Sequence, residues 1–272
     1  MKRKRSLSPA QRLRKLHLLL EKAYGPQHWW PAETPFEVVL GAYLTQNTSW
    51  TAAARSIANL RAAGALTPES IRKLSIEELQ LLIRPSGFAT RKAPALKAFV
   101  DMLGKEFGGS IDALAAMPTE PLRSRLLALP GVGPETADAI LLYALNHPVP
   151  VVDEYLRRIV ERHGLVSPPT LTAKNAVRMG HPPASPPTLT AMNPVRMGHP
   201  RCSVPSPGRK GYEQLADLVR EAFAAENGDA KLRVLNESHA LIVAVGKAHC
   251  RKIALCEGCP LKPDLPSRVR SN

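Results

Sequence analysis

A glycine-rich turn that runs into a helix is the residue pattern with the clearest chemical meaning, Leu129-Pro-Gly-Val-Gly-Pro-Glu-Thr-Ala137. Gly131 and Gly133 permit a tight turn with outward-pointing amides, and Pro134 adds the unpaired first amides of a helix. Such a nest binds a phosphate without side-chain charge and without reading base sequence. A plain turn between helices explains most Gly-x-Gly patterns, so on spacing alone both interpretations stay open.

A single carboxylate, Asp153, follows the hairpin helix after a short connector that contains proline. It stands where the helix Glu154 to His163 should begin, and a capping aspartate there contributes about 1 kcal/mol. A carboxylate in a cleft also stabilises positive charge on a substrate or removes a proton from water. Capping is the simpler interpretation until the surrounding pattern is considered.

Three of the four cysteines lie close together near the end of the chain, at Cys250, Cys256 and Cys259. In a reducing compartment, crowded thiols predict a metal cluster rather than a disulfide framework. Three scattered histidines lack metal-ligand spacing and are better explained as surface or satisfied core residues: His163, His239 and His249.

Charge narrows the class of partner. The 272 residues include 37 Lys and Arg against 23 Asp and Glu, a formal net charge of +14. This excess favours a polyanion, with nucleic acid as the first candidate and an anionic membrane surface or a merely basic soluble protein as alternatives. No run reaches the eighteen apolar residues of a membrane span, and the basic start lacks the apolar segment of a secretory signal. We therefore expect no membrane association and a cytoplasmic, nucleoid-associated location.

Helical periodicity and helix-start signals recur, whereas no convincing period-two series does. Ser8 with Gln11 predicts a helix that ends at Gly25-Pro26, Thr34 starts a buried helix to Leu44, and Ser75 with Glu78 starts another. Later helices are predicted at about 93–107, 120–128, 134–145, 154–163, 212–223 and 236–246. The sequence thus predicts an all-α fold.

One segment departs from this pattern, because residues 167–182 recur at 185–200 with only two changes. Its Pro, Ser, Thr and Gly content cannot bury enough apolar area to offset chain entropy, and two copies are too few for a solenoid. We expect residues 168–209 to be a disordered insertion between two helices. The alternative is a basic arm that touches DNA, through Lys174, Arg178, Arg196, Arg201, Arg209 and Lys210.

The combination of hairpin, helix, connector and Val-Asp before an arginine-bearing helix resembles the helix-hairpin-helix (HhH-GPD) DNA glycosylase superfamily that includes endonuclease III. The segment Gly41 to Trp50 is similar to that family's early helix and turn, and Ser86 to Ala93 to the stretch before its next long helix. The cysteine spacing resembles the C-terminal iron–sulfur loop. The resemblance spans about Trp29 to Pro260, apart from the repeats.

The resemblance implies a two-lobed helical fold and a base-excision-repair enzyme acting on damaged double-stranded DNA, which we expect to be a monomer. It assigns the catalytic carboxylate to Asp153 and makes Gln46 the residue that fills the gap left by the flipped nucleotide. The predicted DNA contacts are Gly131, Val132, Gly133, Thr136 and Arg157, although for Arg157 a surface ion pair is an equal alternative.

Two departures qualify this assignment. Family members that cut the strand carry a lysine immediately before Thr136, whereas Glu135 stands here and cannot form a Schiff base. The closer resemblance is to the monofunctional 3-methyladenine glycosylase branch, which has a glutamate in this helix. Leu265 stands where a fourth cysteine ligand of a 4Fe-4S cluster is expected, so either three cysteines and another ligand bind a cluster or the loop is a relic.

For a cationic alkylated purine, the tryptophans offer a base pocket. We predict Trp29 and Trp50 as a sandwich, with Glu135 as a second catalytic carboxylate that supplies the counter-charge, against the alternative that the indoles are ordinary packing residues. Two competing functions remain open: an endonuclease III-type lyase on oxidised pyrimidines that uses another amine such as Lys92 or Lys247, and a hairpin module that binds DNA without catalysis.

The predicted organisation has four parts. Residues 1–28 form a basic N-terminal helix that packs with the C-terminal helices, and residues 29–166 the glycosylase core with its hairpin. Residues 167–210 form the duplicated insertion, and residues 211–272 the C-terminal helices with the cysteine loop.

Overall fold

The computed structural model describes residues 7–27, 32–166, 209–251 and 253–266. Within these ranges the chain is helical and contains no strand, in agreement with the predicted all-α class. The α-helices are α1 (Pro9–Tyr24), α2 (Pro35–Leu44), α3 (Trp50–Ala62), α4 (Pro68–Lys73), α5 (Ile76–Leu82), α6 (Ala89–Phe107), α7 (Ile111–Ala115), α8 (Thr119–Leu127), α9 (Pro134–Ala139), α10 (Glu154–Arg162), α11 (Arg209–Ala222) and α12 (Gly228–Ala248). A π-helical segment, Ile140–Ala144, continues α9, and 3₁₀ turns lie at Arg84–Ser86 and Lys262–Asp264.

Local capping chemistry sets the predicted helix starts. Ser8 and Ser75 each form a capping box, in which the cap hydroxyl and the side chain of the residue three positions later each accept a backbone amide. Thr34 caps α2 by accepting the Glu37 amide, and Pro35 occupies the first helical position. These starts therefore follow from sequence alone.

The helices pack as two groups with the hairpin helix between them. Helices α2 to α8 form one group, in which α6 contacts α2, α4, α5 and α7. Helices α1, α10, α11 and α12 form the other, in which α12 contacts α1 and α10. Helix α9 and its π-helical continuation contact α2 on one side and α12 on the other, so the predicted two-lobed arrangement places the hairpin at the junction.

The core of the described residues is continuous across this junction. Leu13, Leu16 and Leu20 of α1 are fully buried, as their helical spacing predicts, and α2 is buried on nearly every face. Among the residues that the structure describes, no helix is long and apolar enough to cross a membrane.

Two predictions fall outside the described ranges. Nearly all of the duplicated insertion does so, since residues 167–208 are not described, and so does Trp29. Disorder of the insertion, its alternative as a DNA-touching arm and the Trp29–Trp50 sandwich therefore stay predictions.

Candidate active site

The glycine turn exposes its backbone at the start of α9. Gly131 has a φ of +75°, in the left-handed region where glycine is favoured, and Gly133 is the extended N-cap residue of the helix. Both glycines are exposed, whereas Val132 between them is buried. The valine anchors the turn while its neighbours face outward, which is the geometry required of a backbone phosphate site.

Gln46 lies directly against this hairpin. Its side-chain amide donates to the Gly131 carbonyl at 3.0 Å and to the Thr136 hydroxyl at 2.9 Å. The turn that carries it contains Asn47 with a φ of +51°. Gln46 and two of the predicted DNA contacts, Gly131 and Thr136, thus belong to one hydrogen-bonded unit.

A buried lysine holds the Gln46 turn from behind. The Lys92 ammonium donates to the Leu44 carbonyl at 2.7 Å, the Thr48 hydroxyl at 3.0 Å and the Ser86 carbonyl at 2.9 Å. Burial lowers the pKa of Lys92 to about 8, because desolvation penalises its charged form. Sequence reasoning named Lys92 only as a competing nucleophile and missed this structural role.

Asp153 caps α10 and faces inward. Its Oδ1 accepts the Leu156 amide at 2.7 Å, and the residue is only 8% exposed. Its other oxygen, Oδ2, lies 3.6 Å from Nε2 of His239 on α12. Capping therefore occupies one carboxylate oxygen and leaves the other pointing toward the junction between the two helix groups.

A chain of buried polar groups fixes the connector before Asp153. The Tyr212 hydroxyl donates to Asp138 Oδ2 at 2.7 Å and accepts the Val152 amide at 3.3 Å. Arg123 donates to both oxygens of Asp138, at 2.6 and 3.0 Å. The hairpin helix, the connector and α11 are tied together at this point.

Glu135 is the second residue of α9; the residue is exposed at the surface, yet protein atoms surround its carboxyl group on most sides. Desolvation raises the pKa of Glu135 to about 7, and repulsion by Asp153 and Glu154 adds to the shift. The two carboxyl groups that the sequence predicts as catalytic are thus electrostatically coupled, and Glu135 carries a proton for part of the time at neutral pH.

The remaining predicted contacts lie in different surroundings. Arg157 donates to the carboxylates of both Glu154 and Glu161 at 2.6–2.8 Å, so an ion-pair network engages it. Trp50 starts α3 and is partly buried against the core. Phe88, which the sequence did not single out, has a φ of +51° and is 52% exposed, with Arg91 over its ring.

The cysteine loop does not fit a cluster bound by four thiolates. Cys250 is buried and accepts a hydrogen bond from Arg162 at 3.0 Å, while Leu265, at the position of the missing ligand, packs as a buried apolar side chain. Among the described residues no three His, Cys, Asp or Glu side chains are placed to hold a metal ion. No step of the chemistry below involves such a cluster.

A glycine hairpin at the junction of two helical lobes, with a capped aspartate beside it, defines a helix-hairpin-helix protein. Residues 40–178 match the family described as HhH-GPD superfamily base excision DNA repair protein. The chain belongs to this family and is a DNA glycosylase.

Similar proteins include a DNA repair glycosylase and an endonuclease III homolog. A DNA repair glycosylase of Methanocaldococcus jannaschii is 34% identical over 91% of this chain and 93% of its own length. Endonuclease III homolog 2 of Arabidopsis thaliana is 34% identical over 54% of this chain and 36% of its own.

Solved structures share the fold. The 3-methyladenine DNA glycosylase of H. pylori, bound to 1,N6-ethenoadenine, superposes with a TM-score of 0.63 at 25% identity, covering 89% of this chain and 98% of that one. Endonuclease III in a trapped covalent DNA complex gives a TM-score of 0.65 at 18% identity, covering 96% of each chain.

Proposed function

We propose that this protein hydrolyses the N-glycosidic bond of damaged bases in double-stranded DNA, with alkylated purines as the preferred class, and that it has no Schiff-base lyase step. The observation that carries this proposal is Glu135, a carboxyl group with a pKa of about 7, at the helix position where the strand-cleaving members have a lysine. The similarity to the H. pylori 3-methyladenine glycosylase supports the same substrate class.

The chemistry rests on Asp153. As the glycosidic bond breaks, the base leaves with the bonding electron pair and positive charge grows on the deoxyribose. The Oδ2 side of Asp153, free of the capping bond, stabilises that charge and orients a water molecule. The water oxygen bonds to the anomeric carbon, and its proton passes to the carboxylate or to solvent.

Cationic alkylated bases suit this site because they need little help to leave. Such a base becomes neutral when its bond to the sugar breaks, so no proton has to be supplied to it. Hydrogen bonds from the exposed hairpin amides to the strand then hold the sugar against Asp153.

The structure disfavours Lys92 as an alternative amine for lyase chemistry. Its three donors are directed at three oxygens inside the protein, and it is only 4% exposed. Lys247 is exposed near the end of α12 and lies on the helix turn that leads into the cysteine loop.

The deciding experiment compares base release from methylated and oxidised duplexes by mass spectrometry. We expect methylated purines as products, and Asp153→Asn to lower the release rate by about a hundredfold or more while DNA affinity changes little. The matched control is Asp217→Asn, an exposed aspartate of α11 that pairs with Arg220, which should behave as wild type.

Two outcomes would contradict the proposal. Borohydride trapping of a covalent protein–DNA adduct would favour a lyase on oxidised pyrimidines. Absence of base release from every substrate, with DNA binding intact, would favour the non-catalytic hairpin module.

A brown protein absorbing near 400 nm would show a bound iron–sulfur cluster.

A further inference from the structure

We propose that His239 is a positioning residue for base release, which as a neutral imidazole directs its Nε2–H at Asp153 and keeps the free oxygen of that carboxylate aimed at the sugar. The proposal rests on the function proposed above and deepens it, since it assigns a role to a histidine that the sequence alone gave no reason to select. It is carried by a line of three side chains from three different elements: Tyr143 after α9, His239 of α12 and Asp153 before α10.

The first step concerns the carboxylate. Oδ1 of Asp153 is held by the Leu156 amide at 2.7 Å, so the position of Oδ2 depends on what lies opposite. His239 Nε2 is the ring nitrogen that faces it, 3.6 Å away, and both residues are at most 9% exposed. This separation exceeds a hydrogen bond, and small side-chain rotations on DNA binding would close it, as occurs at many catalytic contacts.

The second step concerns the proton on the ring. The Tyr143 hydroxyl lies 2.7 Å from His239 Nδ1 and 3.3 Å from the Asn236 carbonyl oxygen. If it donates along the shorter contact, Nδ1 is the acceptor and Nε2 carries the hydrogen that points at Asp153. The opposite tautomer would set the Nε2 lone pair against a carboxylate oxygen, which is repulsive. The Tyr143 hydroxyl thus selects the useful tautomer.

The third step concerns charge. A neutral His239 orients Asp153 without cancelling its negative charge, whereas an imidazolium would pair with the carboxylate and compete with the sugar cation. Two further acidic groups act on the partners of His239: Glu135 on the hairpin helix and Asp153 repel each other, and Glu237 on α12, whose carboxylate accepts the Gln27 amide, acts on Tyr143.

The small pocket beside His239 is lined chiefly by apolar side chains, among them Val151, Leu156, Leu235 and Ile242, with Ser238 beside them. Because His239 and Asp153 are both buried, solvent does little to screen the contact between them.

The test uses His239→Gln, His239→Phe and Tyr143→Phe in the full chain. Glutamine places an amide donor near the position of Nε2 but does not titrate, whereas phenylalanine removes the donor. We expect His239→Phe to lower kcat by about tenfold to a hundredfold, as for other residues that orient a reactive group, with KM for methylated DNA unchanged. His239→Gln should retain most of kcat at pH 7.5.

Matched controls separate this role from a structural one. His249→Gln changes a histidine near the cysteine loop, bonded to the Leu255 carbonyl, and should leave both kcat and the pH profile unchanged. Thermal melting of each variant identifies loss of folding. If folded His239→Phe turns over like wild type, or His239→Gln loses as much activity as His239→Phe, His239 does not position Asp153.

A second readout does not depend on activity. In the ¹⁵N NMR spectrum of histidine-labelled protein at pH 7.5, we expect His239 as the Nε2–H tautomer. An Nδ1–H tautomer would overturn the inference. If these spectra agree but wild type releases no base, the proposed function fails while the side-chain geometry stands.

Discussion

At the scale of single residues, the carboxyl groups of Asp153 and Glu135 interact with each other but have different surroundings. Asp153 is fixed by the Leu156 amide and faces a histidine, whereas Glu135 accumulates a proton because burial and its acidic neighbours disfavour its charge. One group is suited to hold negative charge against the sugar. The other is suited to be neutral beside it.

The protonation of Glu135 predicts a pH-dependent stability. Its folded pKa of about 7 lies above the ordinary value of 4.5, so the folded state binds more protons between these limits. The free energy of unfolding should therefore fall as pH rises from about 4.5 to about 7 and then level off. In Glu135→Gln, the fall in the free energy of unfolding over this pH range should be smaller by about 1 kcal/mol, a value that allows for solvent screening.

Urea denaturation at half-unit pH steps measures this effect. Glu77→Gln, which changes an exposed glutamate in the first turn of α5, should follow the wild-type curve. Parallel curves for wild type and Glu135→Gln across this range would show that Glu135 is ionised normally.

At the scale of elements, the hairpin turn requires glycine at two positions for different structural reasons. At Gly131 a Cβ would meet the Ala95 Cβ at 3.3 Å, on backbone with positive φ, whereas at Gly133 nothing lies within 4 Å. Gly131→Ala should thus destabilise the protein by about 1–2 kcal/mol, and Gly133→Ala by less, through a weaker helix cap. Thermal melting of the two variants provides the comparison, and equal losses would contradict the assigned turn conformation.

The Gln46 turn depends on an element to which it does not belong, α6. Lys92→Met would remove the donor to the Leu44 carbonyl and the Thr48 hydroxyl and leave the Ser86 carbonyl with the Thr48 hydroxyl alone, so we expect a loss of about 2–4 kcal/mol and weaker binding of abasic-site DNA. Lys97→Met is the matched control, because Lys97 lies further along α6 and also donates to three carbonyls, at the end of α4. Lys97→Met should also lower stability. It should weaken binding of abasic-site DNA only as far as partial unfolding of the protein accounts for.

At the scale of elements, features set by local sequence could be predicted, whereas features set by distant residues could not. Caps at Ser8, Thr34 and Ser75 are local, so α1, α2 and α5 were predictable, and the hairpin and Asp153 follow from a specific motif. Helices α4 and α7 were missed because they are short, and α3 was missed because its buried face combines Ala53 and Ser56 with only two large apolar residues. The bonds of Lys92 and Tyr212 span 48 and 74 residues of sequence, and no local pattern records such partners.

At the scale of the whole molecule, the two lobes are joined by the chain Arg123–Asp138–Tyr212–Val152. Tyr212→Phe removes the donor to a buried carboxylate and the acceptor of a backbone amide, so it should cost about 1–3 kcal/mol and lower kcat by shifting the connector of Asp153. Tyr43→Phe is the control: Tyr43 is fully buried, and its hydroxyl has no hydrogen-bond partner among the described residues. In chemical denaturation, Tyr43→Phe should be at least as stable as wild type. If Tyr43→Phe were instead less stable than Tyr212→Phe, the proposed role of Tyr212 in joining the lobes would be contradicted.

Helix α1 packs on α11 and α12, and Arg12 further binds the His163 carbonyl and Asp264. During synthesis on the ribosome, α1 therefore emerges well before its partners, which follow only after about two hundred more residues have been translated. Its leucine stripe stays uncovered throughout that interval, a period in which nascent chains are prone to associate wrongly. This lobe accordingly cannot close until α11 and α12 have left the exit tunnel.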